Sequence, residues 1–220
     1  MSARVASVNA VHALIPDRLG SLDRTAIDKR PVPGRVAVTA PGDGGVGLTG
    51  DQIYDRRHHG GPDQAVYAYA AEDRAWWAAE LGREIAPGGF GENLTTEGLD
   101  VTGAVIGERW QIGDDGLVLE VTAPRIPCST FQGWMNEPHW VKRFTDHGAP
   151  GAYLRVVESG TVGAGDAVEV LGRPEHGMTI GDVFVIRRAP TDGLLRMLEM
   201  PGLHDDLAEI ARRDLAARAR

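Results

Sequence analysis

Apolar positions follow two rhythms along the chain. Up to about Gly172, short runs alternate apolar and polar residues and stop at glycine or proline: RVAVTAP, AVYAYA, RWQI, LVLEVTAP, YLRVVE and AVEVLG. A period of two is that of a strand with one face on a core. RWQIGDDGLVLEV reads as a hairpin turning at Asp115-Gly116, and VVESGTVGAGDAVEV as a second pair folded around its glycines. A helix interrupts the strands in AEDRAWWAAELG, where Gly82 supplies the stop, and a shorter one starts at Pro138 in NEPHWVKRF. Past the linker GRPEHGM, Gly172 to Met178, the spacing turns helical: TIGDVFVIRR opens on a Thr-x-x-Asp capping pattern, followed by TDGLLRMLEM and LHDDLAEIARRDLAARAR. The pattern predicts a mostly β (α+β) fold, with a barrel or folded sheet over residues 1–172 and a three-helix unit over 178–220. Three short helices bury little by themselves, so the unit is expected to pack on the barrel or in a homodimer contact.

Composition narrows the functional classes. The 220 residues carry a formal net charge of −8, which disfavours a general nucleic-acid or anionic-membrane binder. Lys29 and Lys142 are the only lysines, so a pyridoxal Schiff base has few places to form. The single cysteine, Cys128, excludes an internal disulfide and a cysteine-rich zinc or iron–sulfur site. No stretch approaches the roughly 18 apolar residues of a spanning helix, and a cytoplasmic location is the expectation.

Several segments invite chemistry. Gly42-Asp43-Gly44-Gly45-Val46-Gly47 matches a dinucleotide fingerprint in letters, but Leu48-Thr49-Gly50 does not open a helix, so a loop between strands is the better reading. Arg56-Arg57-His58-His59-Gly60-Gly61-Pro62 sets cationic donors beside backbone amides, suited to an anion, to zinc, or simply to a solvated turn. Gly88-Gly89-Phe90-Gly91-Glu92-Asn93 lets backbone approach a ligand, with Asn93 offering an amide, or forms a turn anchored by Phe90. Cys128 follows a strand into a proline-stiffened corner, APRIPCST, with the cationic Arg125 nearby. It is a small core residue or a functional thiol.

Taken in order, HHGGPDQAVYAY, GGFGENLTTEGLD, VIGERW and APRIPC resemble the blocks of the MOSC family, named after the C-terminal part of molybdenum cofactor sulfurases. The resemblance is nearest to the stand-alone bacterial YiiM-type subgroup, and extends upstream to TAIDKRPVPGRV and downstream to HGAPGAYLRVVESG and the helical tail. It implies a MOSC-type β-barrel with a small C-terminal three-helix domain, binding a molybdenum cofactor, Mo-molybdopterin. By position, Cys128 would be the metal ligand or a sulfur carrier, and His59 a proton donor. Lys29, Asn93, Arg125 and Arg155 would line the cofactor pocket, the cations facing the pterin phosphate. The implied activity is reduction of a small-molecule N-hydroxylated substrate, such as a hydroxylamino base analogue, with electrons from an external electron-donor protein. Two alternatives remain: sulfur transfer through a Cys128 persulfide, or a cofactor carrier without turnover. No nucleic acid or membrane partner is expected, and no pyridoxal phosphate. His139 and His147 have no place in the resemblance.

Overall fold

A computed structural model describes residues 2–42, 45–56, 59–185, 191–201, 203 and 205–218. Its strands are β1 (Arg4–Pro16), β2 (Arg24–Pro31), β3 (Val36–Val38), β4 (Val66–Ala70), β5 (Leu94–Glu97), β6 (Arg109–Ile112), β7 (Leu117–Pro124), β8 (Ala152–Glu158), β9 (Gly160–Val162) and β10 (Val168–Gly172). The helices are α1 (Ala71–Leu81), α2 (Ser129–Met135), α3 (Trp140–His147), α4 (Ile180–Phe184), α5 (Thr191–Leu198) and α6 (Asp205–Arg218). None among the described residues is long and apolar enough to cross a membrane.

Eight strands form a mixed sheet in the order β10-β6-β7-β8-β4-β5-β1-β2, and β3 pairs separately with β9. No ladder joins β10 to β2, so barrel is a loose description of an open, curled sheet. Its curl still brings β1 to the start of β10, where Val5 N–H donates to Asp166 O (2.8 Å) and Val168 N–H to Ala3 O (2.9 Å). The hairpin β6–β7 forms as the Asp-Gly turn requires. The glycine-rich pair does not: β9 pairs with β3 and β10 with β6. Two further elements depart from the sequence pattern. The long strand β1 occupies an N-terminal stretch whose polar interruptions hide its alternation, and α3 begins at Trp140 rather than Pro138.

The alternation in β4 explains the layering. Val66, Ala68 and Ala70 enter one apolar cluster within the sheet, while Tyr67 and Tyr69 point the other way, into an aromatic layer with Trp77, Phe90, Phe131, Trp140 and Phe144. That layer welds α1, α2 and α3 to the outer face of the sheet, with Tyr69 stacked on Phe90 at 4.5 Å. The chain's helical end packs on the strands. Thr179 caps α4 with a full capping box, Ile180 N–H donates to Ala104 O (2.8 Å), and Leu194, Met197, Leu207 and Ala211 share the apolar cluster of the strands.

Candidate functional site

The end of β7, the inner part of β2, the 51–55 and 59–60 segments and α6 enclose a cavity of about 740 Å³. Strand β7 delivers Arg125 to its wall, and the Pro-stiffened corner then turns Cys128 inward at the N-terminal boundary of α2. Cys128 is half-buried and its side chain makes no capping bond, so the sulfur remains available to the cavity.

Arg125 is buried, at 5% exposure, with its guanidinium 3.8 Å from the centre of the Phe131 ring and 5.3 Å from that of Tyr67. Its Nη1 donates to Phe90 O, but its Nε has no partner, and no carboxylate among the described residues pairs with it. Burial works against its charge, but Tyr67, Tyr153 and Cys128 more than offset this and raise the guanidinium above its ordinary value. A buried guanidinium with an unpartnered Nε and no carboxylate beside it among the described residues is suited to an anion entering the cavity.

A carboxylate organises the opposite polar set. Asp51 accepts from Lys29 Nζ (2.6 Å), Asn93 Nδ2 (2.9 Å) and Val11 N–H (3.0 Å). Asn93 in turn accepts Tyr67 N–H through Oδ1 at 3.1 Å, which fixes its amide orientation. Lys29 therefore enters the site as half of an ion pair rather than as a free cation. Gly88 makes room for this arrangement: it sits at φ 84°, and a Cβ there would collide with Lys29 O. The fully buried Glu92 ties the same loop by accepting from Gly88 N–H (2.7 Å), Phe90 N–H (3.0 Å) and Thr95 Oγ1 (2.8 Å). Burial pushes its carboxyl above the usual range while those donors pull it back. Glu92 thus holds the loop whose Phe90 carbonyl holds Arg125.

His59 lies on the same cavity, its Nδ1 3.3 Å from the Tyr153 hydroxyl. Burial raises the Tyr153 phenol above its ordinary value, Arg125 lowers it, and charge on Cys128 raises it again, so the hydroxyl remains a proton donor. The structure thus brings together Cys128, His59, Lys29, Asn93 and Arg125. Arg155 is not with them. It shares a face of β8 with Tyr153, but two residues further along, about 7 Å, Asp63 and Glu120 capture its guanidinium at 2.8 and 3.2 Å. Asp51, Tyr153, Glu92 and the α6 side chains were not singled out in the sequence. Arg57 and His58, and Asp43 and Gly44 of the glycine run, lie outside the described residues. Among the described residues no three His, Cys, Asp or Glu side chains converge as a metal-ion set, so a metal here would depend on Cys128 and a non-protein ligand.

Comparisons with known proteins agree with this architecture. A family model described as the MOSC domain matches residues 55–169. The chain is 34% identical over 161 residues to the uncharacterized protein YflK of Bacillus subtilis (strain 168), covering 73% of this chain and 70% of that protein. It is 30% identical to protein YiiM of Escherichia coli (strain K12), over 68% of this chain and 65% of YiiM. A protein named reductase from Gibberella moniliformis (strain M3125 / FGSC 7600) is 32% identical over 78% of this chain, which spans 30% of that longer protein. The crystal structure of YiiM from Geobacillus stearothermophilus superposes with a TM-score of 0.76 at 24% identity, covering 97% of this chain and 99% of that one. YiiM from Escherichia coli gives 0.74 at 24% identity, covering 99% and 94%. The family match, over just more than half of the chain, and the identity shared with YflK lead to one assignment: the chain belongs to the MOSC domain family.

Proposed function

We propose that the cavity binds a molybdenum-pterin cofactor and that the protein reduces N-hydroxylated compounds, hydroxylamino base analogues among them, to the corresponding amines. The observation that carries this reading is the buried, carboxylate-free Arg125 beside Cys128. A pterin phosphate is the kind of anion that such a guanidinium lacks, and a soft thiolate is an appropriate ligand for molybdenum. The name of the fungal relative supports a reductive role, and the family's name supports the cofactor.

When bound, the cofactor supplies the electron pair that reduces the N–O bond. Cys128 would hold it from the protein side, and the Arg125 guanidinium, with its unpartnered Nε, would hold its anionic portion. Asp51 keeps Lys29 and Asn93 in place, so that the Asn93 amide and the Lys29 ammonium present fixed donors. His59, held against Tyr153, relays protons to the departing oxygen, which leaves as water. Electrons arrive from a separate donor protein.

The test is to purify the protein from a cofactor-competent host, measure molybdenum and pterin, and assay hydroxylamine reduction in wild type and Cys128→Ser. We expect molybdenum in the wild type and a loss of activity of at least about 100-fold in the variant. A wild type without molybdenum overturns the reading, and a sulfur adduct on Cys128 after incubation with a cysteine desulfurase would establish sulfur transfer instead.

A further inference from the structure

The loop between β1 and β2 forms a fixed platform beside the cavity. Asp17 accepts Gly20 N–H (2.8 Å) and the Thr130 hydroxyl (2.6 Å), so the loop is bonded to α2 two residues from Cys128. Gly133 of α2 leaves the space for this contact, since a Cβ there would press on Arg18 and Leu19. At the loop's other end Asp23 accepts the Tyr54 hydroxyl at 2.6 Å. The platform exposes Leu19 (53%) and Leu22 (36%), and Ile126 (49%) borders the same cavity as Leu22 and Tyr54. A small apolar centre of this kind suits a protein interface.

The charged groups around it differ from those on the rest of the surface. Arg4, Arg35, Arg109 and Arg173 each stand against a carboxylate: Glu97, Asp166, Glu120 and Glu108. Arg18, Arg24, Arg56 and Arg213 are exposed and have no ion pair or side-chain hydrogen bond among the described residues. Arg24 and Arg213 line the cavity, while Arg18 and Arg56 each follow a lining residue, Asp17 and Asp55. Arg212 and Arg196, without such partners as well, lie on α6 and α5. The carboxylates interleaved with the rim arginines are spent within the protein. Asp17 and Asp23 make the bonds just described, Asp55 has a partner of its own, and Glu209 is the acidic exception. In a chain of net charge −8, guanidinium forks left open around one mouth fit a carboxylate-rich surface.

We propose that this rim is the docking surface of the electron donor, and that the donor is a small acidic redox protein whose carboxylates surround the exposed edge of its cofactor. The assignment rests on the reductase reading given above. Cleaving one N–O bond consumes two electrons and two protons and yields an amine and water. The donor therefore loses two electrons per turnover, in two dockings if it carries one at a time. Such a complex forms and dissociates in every cycle, which suits a small interface with a few apolar side chains inside a charged ring. The docked donor faces the opening, next to the loop that Thr130 ties to the Cys128 corner. Arg18, Arg24 and Arg213 orient the donor and take no part in the bond that breaks.

The probes are reduced flavodoxin and a reduced plant-type ferredoxin, two acidic electron carriers, with cytochrome c as a basic control for binding. Hydroxylamine reduction is measured with each acidic carrier and with dithionite, for holoenzyme of the wild type, the Arg18→Glu, Arg24→Glu double variant, Leu22→Asp and Lys142→Glu. We expect kcat/KM for the carrier to fall at least about tenfold at low salt in the double variant and in Leu22→Asp. It should also fall in the wild type as salt is raised, and hold in Lys142→Glu, whose side chain does not line the cavity. Dithionite rates and molybdenum content should stay at wild-type values throughout. An unchanged carrier kcat/KM overturns the docking surface, as does an equal loss with dithionite or in Lys142→Glu. A wild type that dithionite cannot drive removes the reductase reading, and calorimetric titration with the carriers then decides the surface by itself. Salt-sensitive binding that the double variant weakens supports it. Equal binding in all variants, no binding of either carrier, or a preference for cytochrome c overturns it.

Discussion

At the scale of single residues, the site is a balance of buried charges, and Arg125 is the one left open. Its guanidinium is stabilised by aromatic faces, the Phe90 carbonyl and the Tyr67 hydroxyl, without a carboxylate among the described residues. Replacing such a group with an apolar side chain of similar length relieves desolvation, although it forfeits the bond to Phe90 O. Arg125→Met is therefore expected to leave the apo protein within about 1 kcal/mol of wild type in urea denaturation, or slightly more stable. Its molybdenum content after expression in a competent host should fall at least about tenfold, because the buried donor for the anion is gone. A large loss of apo stability with full metal content would show that Arg125 is structural. The same residue scale explains which site members could be read in the sequence. Cys128, His59, Asn93, Arg125 and Lys29 sit in short motifs whose order carries the information. Asp51 and Tyr153 belong to the site through contacts made across the fold, and a lone aspartate or tyrosine in a strand-rich sequence carries no such mark. Arg155 has the right strand parity, but its fate is decided by Asp63 and Glu120, which sequence spacing does not place beside it.

At the scale of elements, α1 shows how local and tertiary forces compete. Its glycine stop is as read, with Gly82 at φ 61° and its N–H on the carbonyls of the last turn. Helix α2, in contrast, is short, contains Gly133 and has no side-chain cap, so nothing local announces it; Phe131 and Met135, buried in the aromatic layer, hold it together. In the first turn of α1, Asp73 is partly buried, and burial, with the charges of Asp100 and Glu72, raises its carboxyl from 3.8 to about 6. Between those two values the folded state binds more protons than the unfolded one, so this group's contribution to stability falls as pH rises through that window. Asp73→Asn removes the titration, at the cost of a favourable charge near the helix N-terminus. After discounting for partial exposure, the variant should be more stable than wild type by about 1 kcal/mol near neutral pH. The difference should shrink toward about pH 4, where Asp73 is protonated in the fold. Thermal unfolding of both proteins across this range checks it, and a gap that widens on acidification would contradict the sign.

At the scale of the whole molecule, the sequence reading places a linker at Gly172 to Met178, and the apolar cluster takes in residues from both sides of it. The two rhythms of apolar residues were visible because strand and helix periods differ, but which apolar faces meet is not a property of either period. Leu194, Met197, Leu207 and Ala211 of α5 and α6 lie in the same apolar cluster as Val101, Ala104 and Ile106, and α6 also closes one side of the cavity. A chain built this way should unfold as one unit, with a single calorimetric transition. Deleting residues from Thr191 onward removes the buried side chains of Leu194, Met197, Met200 and Leu207, each worth about 1.5–3 kcal/mol of transfer from water, together with Ala208 and Ala211, and uncovers the apolar surface they touch. The shortened protein is expected to lose at least about 10 °C in Tm, to bind a dye that reports exposed apolar surface, and to retain cofactor poorly even though Cys128 and Arg125 are untouched. Two separate transitions in the full chain, or a truncated protein with unchanged Tm and metal content, would make the tail an appendage. In that event α6 could not be a fixed wall of the cavity.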